Sequence, residues 1–332
     1  MPATPSRSRV GPDALDSTPA RTGFVPDGRA AISVRGLRKT YGRRDAVRGV
    51  SFDVSRGEVF GLLGPNGAGK TTTIEILEGY RPRTEGDVRV LGVDPGKPTR
   101  HWRERIGLVL QQCELDPNLT VRETVGLFAS FYPSPRPVDE TIELAGLADH
   151  RKDRIGTLSG GQKRRTDVAL GIVGDPDLVF LDEPTTGFDP AARRGAWAMI
   201  DGLRQLGKTI LLTTHYMDEV QHLADRIAIL RAGELVAVGT VEEIGSGLPT
   251  GAVVRFRVPE GVTAHEIASV AATPVEEAGD LVTIHCPDPQ PVLYRLVTWA
   301  EPEGRSLDGL EVLRPTLEDV FLELTTSEAD HV

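Results

Sequence analysis

The sequence GPNGAGKTT at residues 64–72 decides the fold of this chain. It contains the complete pattern G-x-x-x-x-G-K-[ST], in which glycines allow successive backbone N–H groups to point at phosphate oxygens. Lys70 adds a positive charge for the outer phosphates, and the Thr71 hydroxyl is suited to bind Mg²⁺. A short apolar run, residues 59–63, precedes the loop, and a helical pattern follows it. A strand, a glycine loop and a helix form the opening unit of an α/β domain.

Length and composition limit the function further. The chain has 332 residues and a formal net charge of -10, which predicts about two domains. The acidic balance argues against a dedicated nucleic-acid-binding protein, so no nucleic acid partner is expected. No stretch of the sequence reaches the ~18 consecutive apolar residues of a membrane span, so any membrane role must come through a partner.

Changes in composition divide the chain into segments. Residues 1–30, rich in Pro, Arg, Ser and Thr, are predicted to be a disordered tail. Residues 31–245 read as the α/β domain, with a helical subdomain inserted at about residues 112–172. The sequence IGSGLPTG has the character of a linker. Residues 250–326 are predicted to form a small α+β C-terminal domain with strands AVVRFRV and LVTIHC and a final helix around LEDVFLELT.

Two carboxylates and a histidine follow apolar strands. The run LVFLDE, residues 178–183, fits a central strand that delivers Asp182 and Glu183 to the phosphate edge of the sheet. One carboxylate is needed to hold Mg²⁺, and the second is placed to orient or deprotonate an attacking water. His215 closes the strand TILLTTH and is expected at the same edge, where it could donate a hydrogen bond to a terminal phosphate.

Three further side chains have suitable chemistry for a nucleotide. Gln111 and Gln112 end the predicted strand RIGLVL, and either can offer a carbonyl oxygen to Mg²⁺ or to water. On chemistry alone the two are equal candidates. Tyr41, which lies before the phosphate loop, could stack on a base.

A second glycine-rich turn, LSGGQKRR, occupies residues 158–165. Gly is unfavourable inside helices, so the turn marks a helix start, and such a start is an anion site. The helical insertion separates the two turns, so they cannot readily grip one nucleotide within a single chain. The basic run Lys163, Arg164 and Arg165 opposes the helix dipole at that end, and we predict an ordinary solvated face for it.

These motifs, in this order, resemble the ATP-binding cassette over about residues 32–245. The resemblance implies a P-loop NTPase core that binds ATP and Mg²⁺, and it favours Gln111 over Gln112. It also implies a head-to-tail homodimer, in which residues 159–161 of one copy cover the γ-phosphate held by the other. The implied nucleotide-binding residues are Tyr41, Gly64, Pro65, Asn66, Gly67, Ala68, Gly69, Lys70, Thr71, Thr72, Ser159, Gly160, Gly161, Gln162 and Asp189. The implied catalytic residues are Glu183, His215 and Gln111, and the implied Mg²⁺ ligands are Thr71, Gln111 and Asp182.

The sequences QKRRTDVALGIVGDP, DEPTTGFDP, TTHYMDEV and LEDVFLELT narrow the resemblance to the exporter ATPases of the daunorubicin-resistance type. That resemblance implies an ATPase that powers efflux of an antibiotic, drug or other hydrophobic compound. It also implies a separate ABC-2 type permease and a place on the cytoplasmic face of the membrane. The alternatives are an exporter ATPase for a lipid or saccharide and a soluble, non-transport ATPase of the same family.

Overall fold

The computed structural model describes residues 29–109, 114–246, 251–313, 317–318 and 321. The predicted tail lies outside these residues except for residues 29 and 30. The strands, in chain order, are β1 (Ala30–Tyr41), β2 (Arg44–Ser55), β3 (Val59–Leu63), β4 (Glu85–Val90), β5 (Ile106–Val109), β6 (Leu178–Asp182), β7 (Thr209–Thr214), β8 (Arg226–Arg231), β9 (Glu234–Gly239), β10 (Ala252–Arg257), β11 (Val275–Ala278), β12 (Leu281–Cys286) and β13 (Glu311–Leu313).

Helices alternate with these strands, as expected for an α/β core. The helices are α1 (Lys70–Leu77), α2 (Arg100–Glu104), α3 (Val121–Ala129), α4 (Val138–Leu144), α5 (Gly160–Ile172), α6 (Pro190–Gln205), α7 (Met217–Leu223), α8 (Val241–Ser246), α9 (Ala264–Ala271) and α10 (Pro289–Ala300).

A six-stranded sheet of order β5-β6-β7-β3-β8-β9 forms the centre of the molecule. Its strands run parallel except β9, which pairs antiparallel with β8. Every residue of β3 and β7 is buried, because a parallel sheet is covered on both faces. The carboxyl ends of parallel strands meet at one edge, and there Leu63 pairs with Thr214 and Asp182 pairs with Thr213. The strands that precede the phosphate loop (β3), the acidic pair (β6) and the histidine (β7) are therefore neighbours.

A three-stranded antiparallel sheet, β2-β1-β4, shares a hydrophobic core with the central sheet. Phe52 of β2 stacks on Phe60 of β3 with ring centroids 5.3 Å apart. The sequence did not predict β4. Its segment EGDVRV begins with three residues that are poor strand formers, and only Val88 and Val90 face the core.

Helices α3, α4 and α5 pack together beside β5, within the region predicted as a helical insertion. A capping box starts α3, since the Thr120 hydroxyl accepts from the Glu123 N–H while the Glu123 carboxylate accepts from the Thr120 N–H. The apolar faces of the three helices form a second core, to which Val125, Ile142 and Val168 belong. This layer therefore presents the start of α5 on a folded support.

The C-terminal strands and helices form a separate βαββαβ unit with sheet order β11-β12-β10-β13, all neighbours being antiparallel. This is the ferredoxin-like arrangement. Alternate residues of β10 (Ala252, Val254 and Phe256) are buried, as expected for a sheet covered on one face.

The predicted final helix around residues 317–325 lies largely outside the described residues. Leu317, which is 3% exposed, belongs to a hydrophobic cluster with Val220 of α7 and Ile227 of β8. The chain therefore returns from the C-terminal unit to the α/β core. Among the residues that the structure describes, no helix is both long and apolar enough to cross a membrane.

Candidate nucleotide-binding site

The loop between β3 and α1 requires glycine at two positions. A Cβ on Gly64 would lie 2.4 Å from the Leu230 carbonyl oxygen, and one on Gly69 would lie 2.5 Å from the Ala46 carbonyl oxygen. Gly69 also has φ 102°, a left-handed conformation in which glycine alone is unstrained. The close packing fixes the curl of the loop, and the first N–H groups of α1, which cannot be paired within the helix, suit phosphate oxygens.

A cavity of about 420 Å³ opens over this loop. Tyr41, 40% exposed, stands at its wall with the Lys39 ammonium 4.9 Å from the ring centroid. Arg44 and Ala46 also line the cavity, and sequence analysis missed both, because neither belongs to a motif. The lining residues are Tyr41, Arg44, Ala46, Asn66, Gly67, Ala68, Gly69, Lys70, Thr71, Thr72 and Glu183.

Lys70 is the first residue of α1 and is 6% exposed. Its ammonium donates to the Gly64 carbonyl oxygen at 2.7 Å and to the Pro65 carbonyl oxygen at 3.3 Å. Burial lowers the pKa of Lys70, and the nearby carboxylates of Glu183 and Asp182 partly offset that shift. A buried cation at the start of a helix fits the phosphate chain of a nucleotide, which would complete the compensation of its charge.

The Asp182 and Glu183 pair sits at the end of β6, as predicted. The Thr213 hydroxyl of β7 donates to Asp182 Oδ1 at 2.5 Å and accepts from the Glu183 N–H at 3.0 Å. Glu183 has φ 46°, which is uncommon for a residue other than glycine. Thr213 thus orients both acidic residues. Sequence analysis missed Thr213, because it is one of three threonines in β7 and belongs to no motif.

His215 follows β7 and reaches the same edge. Its Nδ1 lies 3.6 Å from Glu183 Oε1, and the Thr186 hydroxyl donates to Glu183 Oε2 at 3.1 Å. The imidazole packs on the Tyr216 ring with centroids 4.1 Å apart. The structure therefore brings together Lys70, Asp182, Glu183 and His215, as the order of the strands requires.

Thr213→Val keeps the shape of the side chain but removes both hydrogen bonds. We expect ATP turnover to fall about tenfold with little change in ATP affinity, since two hydrogen bonds of ~0.5–1.5 kcal/mol each orient the acidic pair. Turnover at saturating ATP and a nucleotide titration measure the two quantities. Thr209→Val is the matched control, because the Thr209 hydroxyl accepts from the Gly57 N–H at the opposite end of the same strand. Equal turnover in the two variants would contradict the role of Thr213.

The second glycine turn starts α5. Ser159 is the N-cap, its N–H donates to Gln162 Oε1 at 2.8 Å, and its hydroxyl accepts from the Gln162 N–H at 3.3 Å. No atom lies within 4 Å of a Cβ built on Gly160, and the nearest atom to one built on Gly161 is 3.6 Å away. The chain's own packing therefore does not require these glycines. Residues 159–162 are not among the residues that line the cavity over the phosphate loop.

The predicted solvated face after this turn is wrong for Arg164. Lys163 is exposed, but Arg164 is only 9% exposed, and its Nη2 donates to the Asp182 carbonyl oxygen at 2.8 Å. Arg165 is half-buried and donates to the Gly146 carbonyl oxygen at 3.4 Å. The helix dipole argument excluded a role in helix stability and did not consider packing of α5 against the end of β6.

Two predicted residues remain. Asp189 is exposed and caps α6, since its Oδ1 accepts from the Ala192 N–H at 2.9 Å. It does not line the cavity within this chain. Gln111, like Gln112, lies outside the described residues, so its assignment stays a prediction.

Comparison with protein families gives two matches. The ABC transporter family model matches residues 47–186. The model of the ABC transporter domain-containing protein-like, C-terminal domain matches residues 252–316. Between them they cover the phosphate loop, the start of α5, the acidic pair and the βαββαβ unit.

Similar proteins are named as export or resistance subunits. The chain is 39% identical over 306 residues to the Nod factor export ATP-binding protein I of Burkholderia lata, covering 90% of this chain and 98% of the relative. It is 35% identical over 304 residues to the linearmycin resistance ATP-binding protein of Bacillus subtilis, covering 89% of this chain and 98% of the relative. Both alignments extend beyond the α/β core into the C-terminal unit.

Solved structures match the α/β core. An ATP-binding cassette of an ABC transporter in its ADP conformation is 25% identical, with a TM-score of 0.58, and covers 64% of this chain and 92% of that chain. A dimeric ATP-binding cassette in a post-hydrolysis state, bound to ADP and phosphate, is 26% identical, with a TM-score of 0.57. The second match covers 63% of this chain and 98% of that chain.

Proposed function

The chain belongs to the ATP-binding subunits of ABC transporters, and on this basis we propose how its nucleotide site works and which transport process it powers. It is the ATPase of an exporter. Its proposed task is to power the efflux of an antibiotic, drug or other hydrophobic compound through a separate ABC-2 type permease. The observation that carries the proposal is the cavity over the phosphate loop, where Lys70 and the Glu183 carboxylate line one space.

We assign each part of ATP to residues that line this cavity. The adenine stacks on Tyr41, and the N–H groups of residues 66–72 hold the phosphates. Lys70 exchanges its contacts with the loop carbonyls for contacts with the outer phosphates. Glu183 orients and deprotonates the attacking water, and His215 donates to the terminal phosphate. Gln111 is assigned to the same reaction on its place in the family motif.

Thr71 and Asp182 provide oxygen atoms of the kind that Mg²⁺ prefers, with Gln111 assigned as a further ligand on its motif. Asp182 is fixed by the Thr213 hydroxyl at the edge of the site, and Thr71 lines the cavity. When bound, Mg²⁺ neutralises part of the charge on the outer phosphates. The residues present therefore fit the ion.

We propose that two copies of the chain close on ATP. Ser159, Gly160 and Gly161 are at or near the surface, and their conformation leaves the start of α5 open to a ligand held by a second copy. Asp189 is also exposed, and we assign it as a further contact with the second copy. ATP favours closure because its γ-phosphate touches both copies, and hydrolysis removes that differential contact.

A groove between the α/β core and the helical layer is the proposed docking site for the permease. It has a volume of about 500 Å³, and its exposed apolar groups include Tyr80 and Leu108. Glu78 and Asp167 also line it. Burial raises the pKa of Glu78 to about 7 and that of Asp167 to about 6. Asp167 Oδ1 is buried without a hydrogen bond, so a basic group of the permease would satisfy it.

Asp167→Asn tests the state of this groove in the isolated subunit. Because the pKa of Asp167 in the folded protein lies above its ordinary value of 3.8, the folded protein loses stability as pH rises through about 4 to 6. The variant lacks this loss, so its gain in unfolding free energy over the parent should be larger at pH 8 than at pH 5. Urea unfolding at the two pH values measures it.

Asp139→Asn is the control for the pH experiment. The Arg122 guanidinium holds the pKa of Asp139 below its ordinary value, so this carboxylate is ionised at both pH values in either state. Its replacement should change stability equally at pH 5 and pH 8. A pH-independent effect of Asp167→Asn would contradict the raised pKa of Asp167.

The proposed location is the cytoplasmic face of the membrane, through the permease. A second candidate cargo is a lipid or saccharide, and a relative that is 39% identical is named for export and not for resistance. The chain should be produced in a sensitive host together with a candidate ABC-2 type permease, and the host challenged with compounds of both classes. Resistance or export that needs both proteins and is lost with Glu183→Gln supports the proposal, and resistance that persists with this variant contradicts it.

A further inference from the structure

Arg164 lies on α5 five residues after Ser159 and is directed into the protein. A guanidinium this deeply buried is uncommon and must be compensated by hydrogen bonds, since an uncompensated buried charge is strongly destabilising. Its neighbours in the basic run, Lys163 and Arg165, make no such inward contacts with the turn after β6. The burial is therefore specific to this position.

The guanidinium of Arg164 contacts the carbonyl groups of three consecutive residues. Nη2 donates to the Asp182 carbonyl oxygen at 2.8 Å and approaches that of Glu183 at 3.5 Å, while Nε approaches that of Pro184 at 3.4 Å. The first is a short charge-assisted hydrogen bond. The three carbonyls run from the last residue of β6 into the turn that carries the Glu183 side chain.

This turn is strained. Glu183 has φ 46°, and a residue other than glycine held in such a conformation costs about 1–3 kcal/mol, so the surroundings must over-determine it. Thr213 holds the Glu183 N–H from the side of β7. Arg164 holds the carbonyls from the side of α5. Between them they fix the direction in which the Glu183 carboxylate points.

We propose that Arg164 is a positioning residue for Glu183 of its own protomer, and that it links the two ATP sites of a dimer. This rests on the proposed dimer. Helix α5 starts at Ser159, which faces the ATP held by the partner, and Arg164 connects the same helix to the catalytic turn of its own site. Contact of Ser159 with the partner's γ-phosphate therefore fixes Arg164 and, through it, the base that acts on the other ATP.

Arg164→Gln and Arg164→Lys, with Lys163→Gln as the exposed control on the same helix, test the positioning role. We expect Arg164→Gln to lower kcat at least tenfold with KM changed less than twofold and monomer affinity for ATP unchanged. Arg164→Lys should recover part of kcat, because an ammonium can still donate to the Asp182 carbonyl oxygen. Parental kcat in Arg164→Gln overturns the proposal. If that variant does not fold, as judged by ATP binding, full parental kcat in Arg164→Lys overturns it.

Mixed dimers, isolated with two different affinity tags, show which site Arg164 serves. With Arg164→Gln and Glu183→Gln in the same protomer, one site carries both defects and the other keeps an intact base, so hydrolysis is retained at that site. With the two changes in opposite protomers, both sites are impaired and hydrolysis falls at least tenfold below the first arrangement. Equal activities, or the reverse order, overturn the proposal. If the Glu183→Gln variant with Arg164 intact does not dimerise in ATP, this result instead contradicts the proposed dimer.

Discussion

ATP turnover should fall by about 10²–10⁴ when Glu183 is replaced by Gln, the range that general base catalysis contributes. Gln keeps the size of the side chain and its place beside His215 and Thr186, but it cannot accept a proton from water. ATP binding should remain, because Lys70 and the phosphate loop are unchanged. The closed dimer, no longer released by hydrolysis, should accumulate in ATP.

Steady-state phosphate release and size-exclusion chromatography with and without ATP measure the two effects. Glu140→Gln is the matched control, since it removes an exposed carboxylate on α4 and should leave both measurements at the parental value. Parental turnover in Glu183→Gln would remove Glu183 as the base. Low turnover without dimer accumulation would separate catalysis from the proposed closure.

Much of the nucleotide site at the carboxyl edge of the central sheet could be predicted from short sequence stretches, because each of its motifs lies next to a buried strand. The phosphate loop needs its glycines for contacts with Ala46 and Leu230 that any curled loop at that position would make. Asp182 and His215 follow apolar strands, and strands of a parallel sheet end at one edge. A motif next to a buried strand therefore fixes the position of its polar residues.

Arg164 could not be placed in the same way. Its burial depends on how α5 crosses the end of β6, and nothing in the sequence LSGGQKRR states which of three basic residues will face inward. The argument from the helix dipole considered α5 in isolation, whereas the guanidinium is stabilised by carbonyls about twenty residues later in the chain. Arg44 was missed for a related reason, since β2 brings it to the cavity wall from outside every motif.

In the C-terminal unit, the sequence pattern predicts a strand but not the tertiary packing. The sequence AVVRFRV was predicted to be a strand, and β10 contains its first six residues, Ala252–Arg257. The return of Leu317 to the cluster around Val220 depends on tertiary packing and has no counterpart in the periodicity.

Ser159→Arg is expected to abolish ATP hydrolysis by the dimer while the monomer binds ATP with parental affinity. The residue is exposed, does not line the cavity over the phosphate loop, and starts the helix that we propose to face the partner's ATP. A long side chain there would occupy the space of the γ-phosphate and its sandwiching N–H groups. Closure would be blocked without any change in Lys70 or Glu183.

Ser159→Ala separates this steric effect from the loss of the helix cap. Both variants lose the capping hydrogen bond to Gln162, which costs ~0.5–2 kcal/mol of stability, but only Arg adds bulk. Ala should therefore retain measurable hydrolysis and ATP-dependent dimerisation, whereas Arg retains neither. If Ser159 acts only on the ATP of the partner, ATP binding by the monomer should be unchanged in Ser159→Arg. A titration at a concentration where the parent is monomeric measures this binding. Loss of binding would show that Ser159 serves the nucleotide of its own chain.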